Sequence, residues 1–261
     1  MGSRVLLLVA LFLLAPSLFS CAFTPTTGVE GVPTLDAHPL LSLLKEEQDK
    51  IKSFRGMGKL RYTMGGKRQS TRVAWIGSPP ADLRIETLGL WGQPSLTLLV
   101  KGATFYLHLP HEGRCVQAKA TARNVSRLVS VPVPVEDLFV MLSGQVPVRP
   151  FERAEMAYVE AEGQWCLSLY RKWRRLVERI WTSGEGTVVN RIEVYEASGG
   201  PAYTAWFGRS QPEDSMIAQE IIVSGGEGAS FSLEMERLST NVEAPAGAYR
   251  LPVACGSHRD F

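Results

Sequence analysis

Histidine is scarce in this chain, with four in 261 residues. The two nearest together, His108 and His111, lack the i, i+4 spacing of an H-E-x-x-H metal site. No G-x-S-x-G occurs, so the nucleophile elbow of the serine hydrolases is missing. The four cysteines include no C-x-x-C pair, which argues against a dithiol redox centre or a zinc clasp. Charge of one sign is lacking too: 28 Lys and Arg stand against 26 Asp and Glu. That balance leaves no electrostatic footprint for nucleic acid. Beyond the first twenty residues no apolar run approaches the roughly 18 residues needed to cross a bilayer, and no repeat of fixed period is found. Together these absences point away from an enzyme, a metal, a cofactor, a nucleic-acid partner and a second membrane segment.

What is present begins at the N-terminus. Residues 1–4 carry one positive charge, residues 5–14 are unbroken apolar sequence, and Ala15-Pro16-Ser17 interrupt the run. Leu18-Phe19-Ser20-Cys21 follow. This is the order of a secretory signal, too short to serve as a mature anchor. A small residue followed by cysteine has the pattern of the bacterial lipobox, with Phe19 bulkier than the usual residue there. The expectation is a signal peptide over 1–20, a diacylglycerol thioether and palmitate on Cys21, a Thr-, Pro- and Gly-rich tether over 21–34, and one domain over 35–261. Two or three acyl chains hold a protein firmly where a single one does so only marginally. Loss of Arg4 with the leader leaves 27 Lys and Arg against 26 Asp and Glu, a net charge of +1. Cys115, Cys166 and Cys255 remain, enough for one disulfide and one thiol; which two pair stays open.

The body starts with helical periodicity and changes to a period of two. Over 36–54, Asp36 is the expected N-cap, and Leu40, Leu43, Leu44 and Ile51 form an apolar stripe. From Phe54 the alternation predicts strands over 54–62, 71–76, 82–87, 94–101 and 104–109, with turns at Gly65-Gly66, Ser78-Pro79-Pro80 and Gly89-Leu90-Trp91-Gly92. Two short helices are expected over 121–129 and 135–143, with Gly144 ending the second. Strands resume over 155–162, 164–170, 176–181, 188–195, 202–207, 217–223 and 230–237. About a dozen antiparallel strands must curl to hide an apolar face, and three helices are available to line the concave side.

This order of elements, with four local motifs, resembles the bacterial lipoprotein-localisation family typified by LolA and LolB. The motifs are Phe54-x-Gly56-x-Gly58, Pro80-Ala81-Asp82-Leu83-Arg84-Ile85-Glu86, Leu90-Trp91-Gly92, and Leu138-Phe139-x-x-Leu142-x-Gly144-x-x-Pro147. The resemblance covers roughly 35–250. It implies a mainly β fold, an open antiparallel half-barrel with helices on the concave side. A lipid-anchored member is closest to LolB, the outer-membrane receptor. The implied role is to accept lipoproteins in the periplasm from a LolA-like carrier and deliver them to the outer membrane, with acyl chains or phospholipid as ligand. Ala22, where enterobacteria place a retention Asp, agrees with an outer-membrane address facing the periplasm. The alternative is a structural or adaptor lipoprotein using the same fold without cargo. The C-terminal half is longer than in a compact LolB, and Arg171-Lys172-Trp173-Arg174-Arg175 has no counterpart there.

Three groups of residues are candidate sites. Leu90 and Trp91 occupy a hairpin tip, where water normally selects Asn, Asp, Gly or Ser; the resemblance assigns them to a membrane-insertion loop. Val73, Trp75, Leu83, Ile85, Leu96, Leu98, Phe105 and Leu107 fall on one side of successive strands. By pattern they fill an ordinary core; the resemblance makes the set the lining of an acyl-chain cavity. Arg171, Lys172, Arg174 and Arg175 surround Trp173 in a basic turn suited to lipid headgroups or an acidic partner.

Overall fold

The computed structural model describes residues 34–64, 67–78, 82–129, 131–184, 186–209, 217–253 and 255. The expected signal, Cys21, nearly all of the tether, and the turn residues Gly65, Gly66, Pro79 and Pro80 lie outside the described residues. So does Pro80-Ala81 of the second motif.

Thr34–Leu35 (β1) precedes the helix His38–Lys50 (α1). Six strands follow: Phe54–Met64 (β2), Lys67–Ser78 (β3), Asp82–Leu88 (β4), Pro94–Lys101 (β5), Thr104–Leu109 (β6) and Arg114–Lys119 (β7). Two helices, Ala122–Val129 (α2) and Val135–Leu142 (α3), lead into the second run of strands. These are Arg153–Val159 (β8), Gln164–Arg171 (β9), Arg175–Ser183 (β10), Val188–Tyr195 (β11), Pro201–Gly208 (β12), Glu220–Ser224 (β13) and Ser230–Thr240 (β14). All belong to one 14-stranded sheet with the order β1-β8-β9-β10-β11-β12-β13-β14-β2-β3-β4-β5-β6-β7. Every pairing is antiparallel. β14 joins the two meanders by pairing with β2 (Thr240↔Phe54, Phe231↔Tyr62), and the sheet stays open between β1 and β7.

Side chains from both meanders and all three helices share one buried core, so the open sheet curls into a half-barrel with helices on its concave face. Two glycines allow the curl. Gly56 lies opposite Trp75 and Gly77 opposite Phe54. A Cβ at Gly56 would stand 2.2 Å from the Trp75 indole, and one at Gly77 2.3 Å from the Phe54 ring. Each aromatic ring thus lies flat over the glycine of the neighbouring strand. The Trp75 Nε1–H donates to the Leu142 carbonyl at 2.8 Å, and the Phe54 ring meets Phe139 edge to face at 4.8 Å, which seats α3 against the sheet. The side chain of Gln48, from α1, donates to the Val146 carbonyl at 2.6 Å.

The structure shifts several boundaries. α1 stops at Lys50 because Phe54 opens β2. Asp36 Oδ1 accepts the His38 N–H at 2.9 Å, while Ala37 occupies the N-cap without a side-chain bond. β13 starts at Glu220, three residues later than the pattern suggests. Thr34 already pairs with Ala157 in β1, and β7 is an additional strand. The open choice among cysteines resolves as a Cys115–Cys255 disulfide with Cα atoms 4.7 Å apart, leaving Cys166 buried as a thiol. After β14, the chain over 241–253 crosses the outer face of the first meander. There Arg84 donates to the carbonyls of Ala248 and Arg250, both at 3.0 Å, before Cys255 reaches β7. All of this lies in one compact unit, Pro33–Phe261, which contains every strand, helix and core contact described.

Candidate functional site

The concave face has two different halves. Under β2–β6 and β14 lies an apolar cavity of about 200 Å³. Of the eight side chains read from the sequence as its lining, Val73, Trp75, Ile85, Leu96, Leu98 and Leu107 border it. Leu83 and Phe105 do not; they are fully buried near the opposite end of their strands. Alternation along a strand identifies the face a side chain occupies but not its depth along the barrel. Sequence reasoning missed the rest of the wall: Leu60 and Tyr62 of β2, Thr87 of β4, Phe231 and Leu233 of β14, Val125 of α2, and Leu138 and Leu142 of α3. Strand periodicity could have found the β2 and β14 residues, because those two strands pair. The helix residues carry no such signal.

Under β9–β12 the face is closed by a polar cluster that sequence spacing did not reveal. Tyr203 Oη donates to Asp137 Oδ2 at 2.6 Å, and Arg149 Nη2 contacts the same oxygen at 2.6 Å. The Arg149 backbone N–H donates to Glu178 Oε2 at 2.7 Å. Glu178 has no exposed surface, and burial raises its carboxyl pKa to about 8 against the backbone hydrogen bond that favours the anion. Burial also raises the Asp137 carboxyl, opposed by Arg149, and raises the Tyr203 hydroxyl, reinforced by Asp137. A visible signal was Glu178 itself, a carboxylate amid Leu176, Val177 and Ile180.

In a meander, successive turns alternate between the two rims. The β2–β3, β4–β5 and β6–β7 turns therefore share one rim, and through the β14–β2 pairing the β9–β10, β11–β12 and β13–β14 turns share it too. Leu90 and Trp91 form the β4–β5 tip, 98% and 90% exposed, in a turn closed by the Gly92 N–H on the Gly89 carbonyl at 2.9 Å. Thr87 and Leu96 of the cavity wall flank that turn, so cavity and tip lie at the same end. Trp173, 97% exposed, is at the β9–β10 tip on this rim, with Arg171, Lys172, Arg174 and Arg175 around it, all exposed. His108 is buried and His111 exposed. Among the described residues no group of three or more His, Cys, Asp or Glu is placed to hold a metal, and no helix is long and apolar enough to cross a membrane.

Solved structures share this architecture. A domain assigned to outer membrane lipoprotein sorting, from Vibrio parahaemolyticus, matches 82% of the chain and 97% of its own length at 13% identity and a TM-score of 0.52. A LolA superfamily protein from Nitrosomonas europaea matches 80% of the chain and 96% of its own at 14% identity and 0.51. The fold is LolA-like. A DUF1329 family protein from Desulfovibrio piger has the same LolA-like arrangement over 80% of the chain and 94% of its own, at 13% identity and 0.53. No protein-family model and no curated protein matches the sequence. At these identities the likeness concerns the fold.

Proposed function

We propose that this protein is a lipid-anchored envelope lipoprotein with a non-catalytic role: it accepts acyl chains of lipoprotein or phospholipid cargo in its half-barrel and releases them at a membrane. The observation that carries this reading is the apolar cavity beside a rim whose tip holds fully exposed Leu90 and Trp91. An acyl chain leaving past Thr87 and Leu96 meets the bilayer where that tip can enter it. Cys21 supplies the anchor, a LolA-like periplasmic carrier supplies the cargo, and the outer membrane, seen from the periplasm, is the destination. The Cys115–Cys255 disulfide fits an oxidising compartment.

The size of the cavity favours a second reading. A hollow of about 150 Å³ takes one benzene, so about 200 Å³ accommodates only a few methylenes of a long chain. An adaptor that uses the fold without cargo needs no more space than this. Native mass spectrometry of the full-length protein purified from the envelope, counting only non-covalently bound lipid, separates the two. Copurifying acyl chains, displaced by a palmitoylated peptide, support the carrier; a ligand-free protein that refuses the peptide supports the adaptor. Palmitate labelling that persists in a Cys21→Ser variant would remove the anchor from the reading.

A further inference from the structure

Leu90, Trp91 and Trp173 are the three most exposed large apolar side chains among the described residues; the other exposed ones lie between 39% and 45%. All three are on one rim, although Trp91 and Trp173 are 82 positions apart in sequence. Eight inter-strand steps separate their hairpins, roughly 40 Å along the curved sheet at the usual strand spacing.

The β9–β10 tip is built against its own folding preference. Trp173 and Arg174 both have positive φ, 62° and 54°, and the Arg175 N–H closes the turn on the Lys172 carbonyl. That backbone normally selects Asn-Gly, and a bulky residue in it is strained. Below the tip, Arg171 and Arg175 sit directly opposite one another across the two strands. Like charges in that position repel, and neither has an ion pair among the described residues. Arg174 has only a 3.8 Å contact with Glu155, whose nearer partner is Arg153 at 2.5 Å. Arg149, Arg171, Arg175 and Tyr195 line an adjoining recess of about 300 Å³, with Glu196 as the acidic group in its wall. Lys67 and Arg68 add exposed positive charge at the β2–β3 turn of the same rim. By contrast the β8–β9 turn at the other rim, Glu160-Ala161-Glu162-Gly163, has two carboxylates and no aromatic residue.

We propose that this rim is a two-point docking surface for an anionic phospholipid bilayer and that the β9–β10 tip is its second point. Trp173 enters the interfacial layer, where tryptophan is favoured, and Arg171, Lys172 and Arg175 bind headgroup phosphates. Headgroup phosphate placed between Arg171 and Arg175 relieves their repulsion. The proposal rests on the reading above for a membrane at this rim, but not on cargo in the cavity.

The test is co-sedimentation of residues 33–261 with vesicles of phosphatidylcholine, with and without phosphatidylglycerol. Binding is expected only with phosphatidylglycerol. Replacing both arginines, Arg171→Gln with Arg175→Gln, should weaken it roughly thirtyfold, and Trp173→Ala about tenfold with an unchanged melting temperature. Trp173→Asn with Arg174→Gly should raise the melting temperature while lowering vesicle affinity, separating loss of contact from loss of fold. Equal binding to neutral vesicles, or variants that bind like the parent, would overturn the proposal. So would calorimetric binding of inorganic phosphate, lost in the double-Gln variant, without any vesicle binding. Acyl-chain content measured in the same samples reports on the cargo reading separately.

Discussion

Under β2–β5 the inward side chains stop short of the helices and leave an apolar hollow, whereas under β9–β12 they close completely around Glu178, Asp137 and Tyr203. Both halves curve the same way and use the same alternation. They differ in what holds the helix above them. α3 is shared: Leu138 and Leu142 face the hollow, while Asp137 reaches Tyr203 and Arg149 on the closed side. Apolar contacts are non-directional, so a chain of methylenes can replace them at little cost. A buried ion pair with a hydrogen bond is directional, and breaking it leaves a desolvated charge. The closed half therefore fixes α3 through charged groups, whereas the open half has one directional contact, Trp75 Nε1–H on the Leu142 carbonyl, and is otherwise free to exchange its apolar filling.

The largest expected effect comes from breaking the closed half. Asp137→Ala strands the Tyr203 hydroxyl and the Arg149 guanidinium, and should cost about 3 kcal/mol in denaturant unfolding, at the low end for a buried pair because Arg149 is a quarter exposed. A loss below about 1 kcal/mol would mean that packing and the Trp75–Leu142 hydrogen bond hold α3 without the ion pair.

The same cluster should make stability depend on pH. Folded Glu178 keeps its proton to about pH 8, whereas a free glutamate loses its proton at about pH 4.5. Between these values the folded state binds the extra proton, so stability should fall as pH rises from about 4.5 to 8 and level off above. Asp137, raised in the same direction, reinforces the slope. Unfolding midpoints across that window should flatten in Glu178→Gln; an identical slope in the variant would assign the effect elsewhere.

A matched pair of enlargements compares the halves directly. Leu167→Phe overfills the closed half, where Leu167 is fully buried, and should cost about 1–3 kcal/mol. Leu98→Phe projects into existing space, should change stability by less than about 1 kcal/mol, and should reduce copurifying acyl chains. Equal costs would show that the hollow is not available to a side chain.

The smallest expected effect on stability is at the rim. Leu90 is 98% exposed, so Leu90→Glu should shift unfolding by less than about 0.5 kcal/mol while lipoprotein transfer to vesicles falls. Full transfer with a stable fold would remove the tip from the mechanism.

These contrasts also show what the sequence could convey. β5, β6 and β11 have the bounds read from the sequence, because turn residues flank each run, although the period of two is broken within them. β7 was missed: Arg-Cys-Val-Gln-Ala-Lys has charged ends and little apolar contrast, and its place in the sheet depends on β6. One face of the hollow was legible from strand parity, yet Leu83 and Phe105 share that parity and lie beyond it. The Asp137, Arg149, Glu178 and Tyr203 cluster joins four positions far apart in the chain, a relation that only the sheet order creates. Trp173 was visible in the sequence, but its partnership with Trp91 follows from counting turns across fourteen strands.

The segment over 241–253 and the Cys115–Cys255 disulfide to β7 give the open half a fixed circumference. From β14 the hydrogen-bonded ladder runs through β2 to β7, and from Cys115 the covalent chain returns through Cys255 across the outer face to β14. Such a circuit resists flattening: the edge strand cannot swing outward without stretching the return path or breaking the Arg84 bonds to Ala248 and Arg250. The second meander has no comparable belt among the described residues. Any increase in the volume beneath β2–β5 must therefore come from the helices lifting, with the wall keeping its girth, and reduction of the disulfide would transfer that compliance to the wall.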